Sequence, residues 1–132
     1  LKGKLRWPVA GRISMHYGAR QAGGKLTSRG LRISAPAGTE VRAIAKGRVA
    51  YADWLRGYGL LLIIDHGDGF MSLYAHNEAL LRDVGDWVNP GEVIASVGNT
   101  GGVETAGLYF ELRRNGDPIN PARWLLMPCI AI

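Results

Sequence analysis

Turn signals punctuate this chain at intervals too short for most helices. Pro36-Ala37-Gly38, Lys46-Gly47, Gly57-Tyr58-Gly59, Asp68-Gly69, Asn89-Pro90-Gly91, Gly101-Gly102 and Asn115-Gly116 recur along it. Glycine supplies the left-handed backbone, and proline the fixed φ, that tight turns need. Between these signals lie runs of five to eight residues rich in Val, Ile, Leu and Tyr, lengths that suit strands. Residues 39–44 alternate polar and apolar, as a half-buried strand does, and 46–53 read as their hairpin partner. The continuous apolar run 60–65 predicts a central strand, with 70–75 following across the 65–69 turn as a second hairpin. Residues 92–97 and 108–113 predict two more strands. Only 76–82 and 121–126 suit a helical turn or two. The pattern predicts an all-β fold, with antiparallel β-sheets closed into a barrel or sandwich and joined by short helical turns.

A length of 132 residues points to one domain, 1–132. A composition 47% hydrophobic and 20% charged is that of a globular chain. The net charge of +5 is unevenly placed: residues 1–56 carry +10 and residues 57–132 carry −5. The bases stand singly among apolar residues, except Arg113-Arg114, and no helix-turn-helix, zinc finger or RNP-like stretch accompanies them. That argues against nucleic acid and for an acidic protein surface or an anionic polymer such as cell wall. No apolar run approaches the ~18 residues that span a bilayer, so no membrane insertion is expected. The chain opens Leu1-Lys2-Gly3-Lys4, without a signal-peptide core or an initiator Met, and reads as a piece of a longer protein. The apolar tail 126–132 suits packing on the sheet or continuation into a further segment.

Metal ligands are scarce. The lone Cys129 excludes an intramolecular disulfide and a cysteine-based zinc knuckle. The three histidines, His16, His66 and His76, share no ligand spacing. A biotinyl or lipoyl carrier, suggested by the Gly85–Glu92 stretch, needs a modifiable lysine at a hairpin tip; Lys2, Lys4, Lys25 and Lys46 lack the flanking residues for it.

A set of landmarks nevertheless runs in order: Trp7-Pro8, Tyr17-Gly18, Gly30-Leu31-Arg32-Ile33, Ala35-Pro36-Ala37-Gly38-Thr39-Glu40-Val41, Ala45-Lys46-Gly47-Arg48-Val49, Gly57-Tyr58-Gly59, Tyr74-Ala75-His76, Gly85-Asp86-Trp87-Val88, Gly91-Glu92-Val93-Ile94, Gly98-Asn99-Thr100-Gly101 and Leu108-Tyr109-Phe110-Glu111. From about residue 7 to 125 this order resembles the LytM or lysostaphin-like zinc endopeptidase domain. Active members of that family hold zinc with a His-x-x-x-Asp and the second His of a His-x-His, and keep the His of a Tyr-x-His beside the attacking water. Zinc needs such neutral imidazole or carboxylate donors and an open fourth position. Here the resemblance aligns Ser28-Arg29-Gly30-Leu31-Arg32 with the first motif and Gly107-Leu108-Tyr109 with the second. Tyr74-Ala75-His76 keeps the third. Ser28, Arg32 and Tyr109 thus stand at degenerate metal positions, and Arg32 is a permanent cation where an anionic ligand belongs. No catalytic residue, metal or other cofactor is expected.

The stretches 50–59, 71–74, 108–114 and 119–125 are similar to the metal-free branch of the family, whose members activate periplasmic cell-wall amidases in Gram-negative cell division. The resemblance implies a periplasmic murein hydrolase activator, not an enzyme. It implies an amidase as partner, peptidoglycan as a possible second one, and the division complex FtsEX engaging a region outside this chain. Motif positions Arg29, Arg32, Tyr58, Tyr74, His76, Tyr109 and Arg113 would line the former active-site groove and bind the amidase's autoinhibitory helix. A peptidoglycan-binding module without amidase activation is the competing reading. His66 reads as a residue bonded within its hairpin, Trp7, Trp54, Trp87 and Trp124 as core or edge packing, Tyr51 and Phe110 as core. The neighbours Arg113 and Arg114 must face opposite sides of a strand.

Overall fold

The computed structural model describes residues 3–21 and 26–126; Cys129 and all of the tail except Leu126 lie outside the described residues. The described chain forms β1 (Arg12–Met15), β2 (Arg20–Gln21), β3 (Leu26–Thr27), β4 (Leu31–Ser34), β5 (Glu40–Arg42), β6 (Gly47–Leu55), β7 (Gly59–Gly67), β8 (Phe70–Leu80), β9 (Trp87–Val88), β10 (Val93–Val97), β11 (Gly107–Arg114) and β12 (Asp117–Ile119). One 3-10 turn, Pro121–Arg123, follows, capped where Asn120 Oδ1 accepts from the Ala122 N–H at 3.1 Å. The all-β expectation is met.

Ten strands join in one antiparallel sheet, ordered β1-β4-β11-β8-β7-β6-β9, with β12 on β11 and β10 linking β8 to β5. β2 and β3 pair separately. The long strand β8 explains how the sheet closes. Its first part runs between β11 and β7, while Asn77–Leu80 pair with β10. One strand therefore serves two layers, and β10 and β5 cover the inner face. Leu31, Ile33, Leu62, Ile64, Tyr74, Leu108 and Phe110 there meet Val41, Val88, Ile94 and Val97 in one core. Successive residues of a strand face opposite ways, so Leu62 and Ile64 enter this core while Leu61 and Ile63 join Leu73, Ala75, Tyr51, Tyr58, Met71 and Tyr109 on the outer face. That double coverage is why the central strand reads as an unbroken apolar run.

The β7–β8 hairpin forms as the sequence predicts. The hairpin of 39–44 with 46–53 does not. β5 pairs with β10, and β6 pairs with β7 and β9. The backbone around β5 is taken elsewhere: Arg42 N–H donates to Pro8 O (2.7 Å), Ala43 N–H to Glu92 O (2.9 Å), and Ala43 O accepts from Gly91 N–H (2.8 Å). The helical turn expected at 76–82 is also absent, because β10 supplies those residues with a strand partner. The one at 121–126 is present as the short 3-10 turn. Of the tryptophans, Trp7 and Trp124 are half-buried, Trp124 edge-on to Phe70 at 4.9 Å. Trp54 and Trp87, expected to pack, are 52% and 65% exposed. His66 bonds within its surroundings, Nδ1 to Lys46 O (2.8 Å) and Nε2 to Ser72 Oγ (2.7 Å). Arg113 and Arg114 diverge as required: Arg113 pairs with Glu111, and Arg114 lies over the Phe70 ring.

Gly30, just before β4, sits so close to β11 that a Cβ there would stand 2.3 Å from Phe110 O and 2.8 Å from Glu111 Cγ. Backbone cannot yield as a flexible side-chain end can. Gly30→Ala is expected to destabilise the fold by about 1–3 kcal/mol, the usual effect of overpacking, read as a lower urea midpoint; an unchanged midpoint refutes the close approach.

Candidate functional site

Adjacent strands bring the separated motifs together. β11 lies between β4 and β8, and its register sets Tyr109 opposite Arg32 on one side and Ala75 on the other. Residues directly opposite share a face, so Arg32 and Tyr109 project together. His76 reaches the same place through a bulge. Between the pairs Leu60↔Asn77 and Leu62↔Tyr74, β7 has one residue and β8 has two. His76 takes a left-handed φ of 65° there, and its N–H donates to Tyr58 O at 2.8 Å. Bulges re-aim side chains in this way, often beside functional sites.

The bulge separates two residues that a regular strand would place side by side. Tyr74 and His76 are two apart and were both expected in the groove. Tyr74 instead is fully buried in the inner core, tilted against Phe110 at 5.3 Å. Its hydroxyl bonds Ile44 N–H (3.2 Å) and Ser72 Oγ (2.8 Å), and burial pushes its ionisation far above the ordinary range. Tyr74 therefore does not line the groove.

Arg29, Arg32, Tyr58, His76 and Tyr109 do line one open cleft of about 640 Å³, beside Met15, Thr27, Glu104 and Thr105. Tyr109 sits at its centre, 6.2 Å from the Tyr58 ring and 6.1 Å from the His76 ring. Arg113, also expected in the groove, is not among the residues that line this cleft; it lies two residues along β11 from the fully buried Glu111, on the Tyr109 face. It holds Glu111 Oε1 through Nε and a terminal nitrogen, both at 2.8 Å. Tyr109 donates its only proton to Glu111 Oε2 at 2.5 Å. Burial, then the bond to Glu111 and its charge, push the Tyr109 phenol far above its ordinary pKa. Its oxygen therefore offers the cleft lone pairs only.

His76 Nδ1 bonds Thr100 O at 2.7 Å. A carbonyl only accepts, so in the neutral ring Nδ1 carries the proton and Nε2 the free lone pair. Burial lowers the His76 pKa, the Thr100 carbonyl opposes this, and the nearby Arg32 charge lowers it further. Thr100 is itself fixed: its hydroxyl donates to Asn77 O (2.6 Å) and accepts from Leu60 N–H (3.1 Å). Arg32 donates to Thr105 O at 2.7 Å, and partial burial lowers its pKa. Arg29 is exposed and has no ion-pair partner among the described residues.

These residues do not fit a catalytic zinc. Ser28 is buried, its hydroxyl donating to Gly30 O at 2.7 Å. Gly107 has no side chain, and the Arg32 guanidinium lies 3.4 to 3.6 Å from where its Cβ would stand. Tyr109 is held protonated, the opposite of what a metal-bound phenolate requires. Among the described residues no three His, Cys, Asp or Glu cluster to hold a metal ion.

Thr100, Thr105 and Glu111 hold the site yet carry no role in the sequence reading. For Glu111 a signal existed, since Tyr109, Glu111 and Arg113 alternate along one strand and must share a face. For Thr100 and Thr105 the contacts cross from loops, and no local pattern marks them.

Residues 26–121 match Peptidase family M23, and the chain belongs to that family. Over 124 residues, 94% of the chain, it is 49% identical to the murein hydrolase activator EnvC of Escherichia coli K12. Over 91% of the chain it is 42% identical to the murein hydrolase activator NlpD of the same organism. It spans under a third of either relative, 29% and 31% of their lengths. The catalytic domain of the antimicrobial peptidase lysostaphin from Staphylococcus simulans superposes with a TM-score of 0.76 at 27% identity, covering 83% of this chain and 88% of that one.

Burial lowers the pKa of both His66 and His76 below the ordinary 6.5. The unfolded chain then binds protons that the fold refuses, so their contribution is complete above pH 6.5 and is lost as pH falls through the folded pKa values. The urea midpoint should fall from pH 7.5 to pH 5, and the slope should flatten in a His66→Gln, His76→Gln double variant. An unaltered slope in that variant contradicts the burial assignment.

Proposed function

We propose that this chain is a non-catalytic activator of a periplasmic cell-wall amidase, and that its cleft docks the helix that autoinhibits the enzyme. The observation that carries this reading is the Arg32 guanidinium, a cation at the family's carboxylate-ligand position, lying beside Gly107 and bonded to Thr105 O. The cleft persists around it. Arg29 and Arg32 offer planar forks for carboxylates. Tyr58 and Tyr109 offer large contact area at low entropy cost. His76 Nε2 and the Tyr109 oxygen offer acceptors to partner N–H or O–H groups. A helix bearing acidic side chains with polar donors between them complements that set. The relatives named as murein hydrolase activators support the same role and an envelope location. Among the described residues, no helix is long and apolar enough to cross a membrane.

Chemistry then belongs to the partner's active site. The activator contributes only its preference for the released conformation, which is all an effector can contribute.

Dye release from labelled sacculi tests this. The protein alone should release nothing, and with an amidase it should stimulate release. Arg29→Ala should raise the concentration for half-maximal stimulation about tenfold, the size of an interface hot spot, with an unchanged urea midpoint. Dye release by the protein alone, with one zinc per chain by elemental analysis, overturns the proposal.

A further inference from the structure

A second cleft, of about 560 Å³, lies at the other end of the β6–β7 hairpin. The first cleft includes Tyr58 at the hairpin turn; this one includes Gly47 and His66 at its open end. The eight steps from residue 58 to residue 66, at about 3.3 Å each, place the two roughly 25 Å apart, and they share no lining residue.

This cleft joins a flat aromatic surface to unpaired cations. Trp87 on its rim is 65% exposed, with the Arg48 guanidinium 5.7 Å from its ring centroid. Lys4, Arg6 and Lys46 line the cleft. None of these four bases has an ion-pair partner among the described residues. One acid, Asp65, lines the cleft, and the other nearby acids have partners of their own. Asp65 accepts from Gly67 N–H, Asp86 accepts from Asp83 N–H, and Glu92 is paired with Arg82. The floor is built: a Cβ on Gly47 would stand 2.5 Å from Ile64 Cγ2 and 2.9 Å from His66 Nδ1, and Arg6 packs over Gly91.

We propose that this cleft binds a glycan strand whose sugars carry carboxylates directly. An exposed indole in a concave site is a stacking platform for a ring's C–H face, and the surrounding lysines and arginines meet anions held close to that ring. A carboxylate at the tip of a long flexible peptide lacks that fixed proximity. Hydrolysing the amide between a sugar's lactyl group and a stem peptide leaves one carboxylate on each such sugar. The preferred strand is therefore the product of the reaction under "Proposed function", and the inference rests on that reading for its setting at the wall. Holding product strand would keep the activator where cleavage has begun.

Binding is measured without amidase present, so failure here leaves the activation proposal untouched, and the converse. The probe is peptide-free glycan strand prepared by prior amidase digestion and purification, with intact sacculi, phosphatidylglycerol vesicles and duplex DNA as comparison arms. The protein should bind the peptide-free strand, more weakly at higher salt. Trp87→Ala and Lys46→Glu, both at exposed positions, should each weaken binding at least fivefold, while Arg29→Ala in the other cleft leaves it unchanged. Unaltered binding by both cleft variants overturns the proposal. So does tighter binding to intact sacculi, to vesicles or to DNA than to the peptide-free strand.

Discussion

Everything in the first cleft depends on how β11 is held between β4 and β8. The register that sets Tyr109 opposite Arg32 and Ala75 fixes which side chains meet. A shift of one residue would turn Tyr109 into the core and Phe110 out of it. Two features resist that shift. Phe110 is fully buried against Tyr74, and Gly30 and Gly107 let neighbouring strands approach where a side chain would collide. The strands that carry Arg32 and Tyr109 are thereby anchored to the hydrophobic core, and loop carbonyls at Thr100 and Thr105 complete the hold on His76 and Arg32.

On that frame the replacements reinforce one another. Loss of a side chain at 107 opens space, and the Arg32 guanidinium fills it. The Tyr109 hydroxyl needs an acceptor in a half-buried position, and Glu111 provides it. Glu111 is fully buried, and such a charge is tolerable only when paired and hydrogen-bonded; Arg113 and Tyr109 together meet that need. The result is a connected network suited to holding a surface rigid. A rigid, pre-ordered surface loses little entropy when a partner docks.

Much of the fold was legible because strands declare themselves through local pattern. The apolar run 60–65, the Asp65–Gly69 turn and the alternation through 108–113 gave β7, β8 and β11 and the pairing of the first two. Pairing between distant segments was not legible, and so β5 was assigned to its neighbour in sequence instead of to β10. The bulge at His76 left no local mark either. It turns His76 out into the cleft while Tyr74 keeps the core-facing register it shares with Phe110 and Leu62, and pairing with β10 continues the strand where a helical turn was expected. Arg29, Arg32, Tyr58 and Tyr109 were found through motif position. Glu111 has no motif position to mark it, although it falls between Tyr109 and Arg113 at the two-residue spacing of one strand face. The exposure of Trp54 and Trp87 leaves no local mark either. An aromatic residue in a strand is ordinarily packing, and only three-dimensional exposure separates the exceptions.

The uneven charge of the sequence acquires a place in this structure. Of the twelve bases in residues 1–56, Arg29 and Arg32 line the first cleft, while Lys4, Arg6 and Lys46 line the second and Arg48 covers its tryptophan. The acids of the second half are in part neutralised locally, Glu92 by Arg82 and Glu111 by Arg113. Six of those twelve bases thus gather at the two clefts at the ends of one hairpin. A duplex nucleic acid presents an unbroken row of phosphates and is best met by a continuous basic stripe. Two separate clefts, each pairing cations with aromatic rings, instead suit two discrete anionic partners of different shape. The geometry allows both to be held at once.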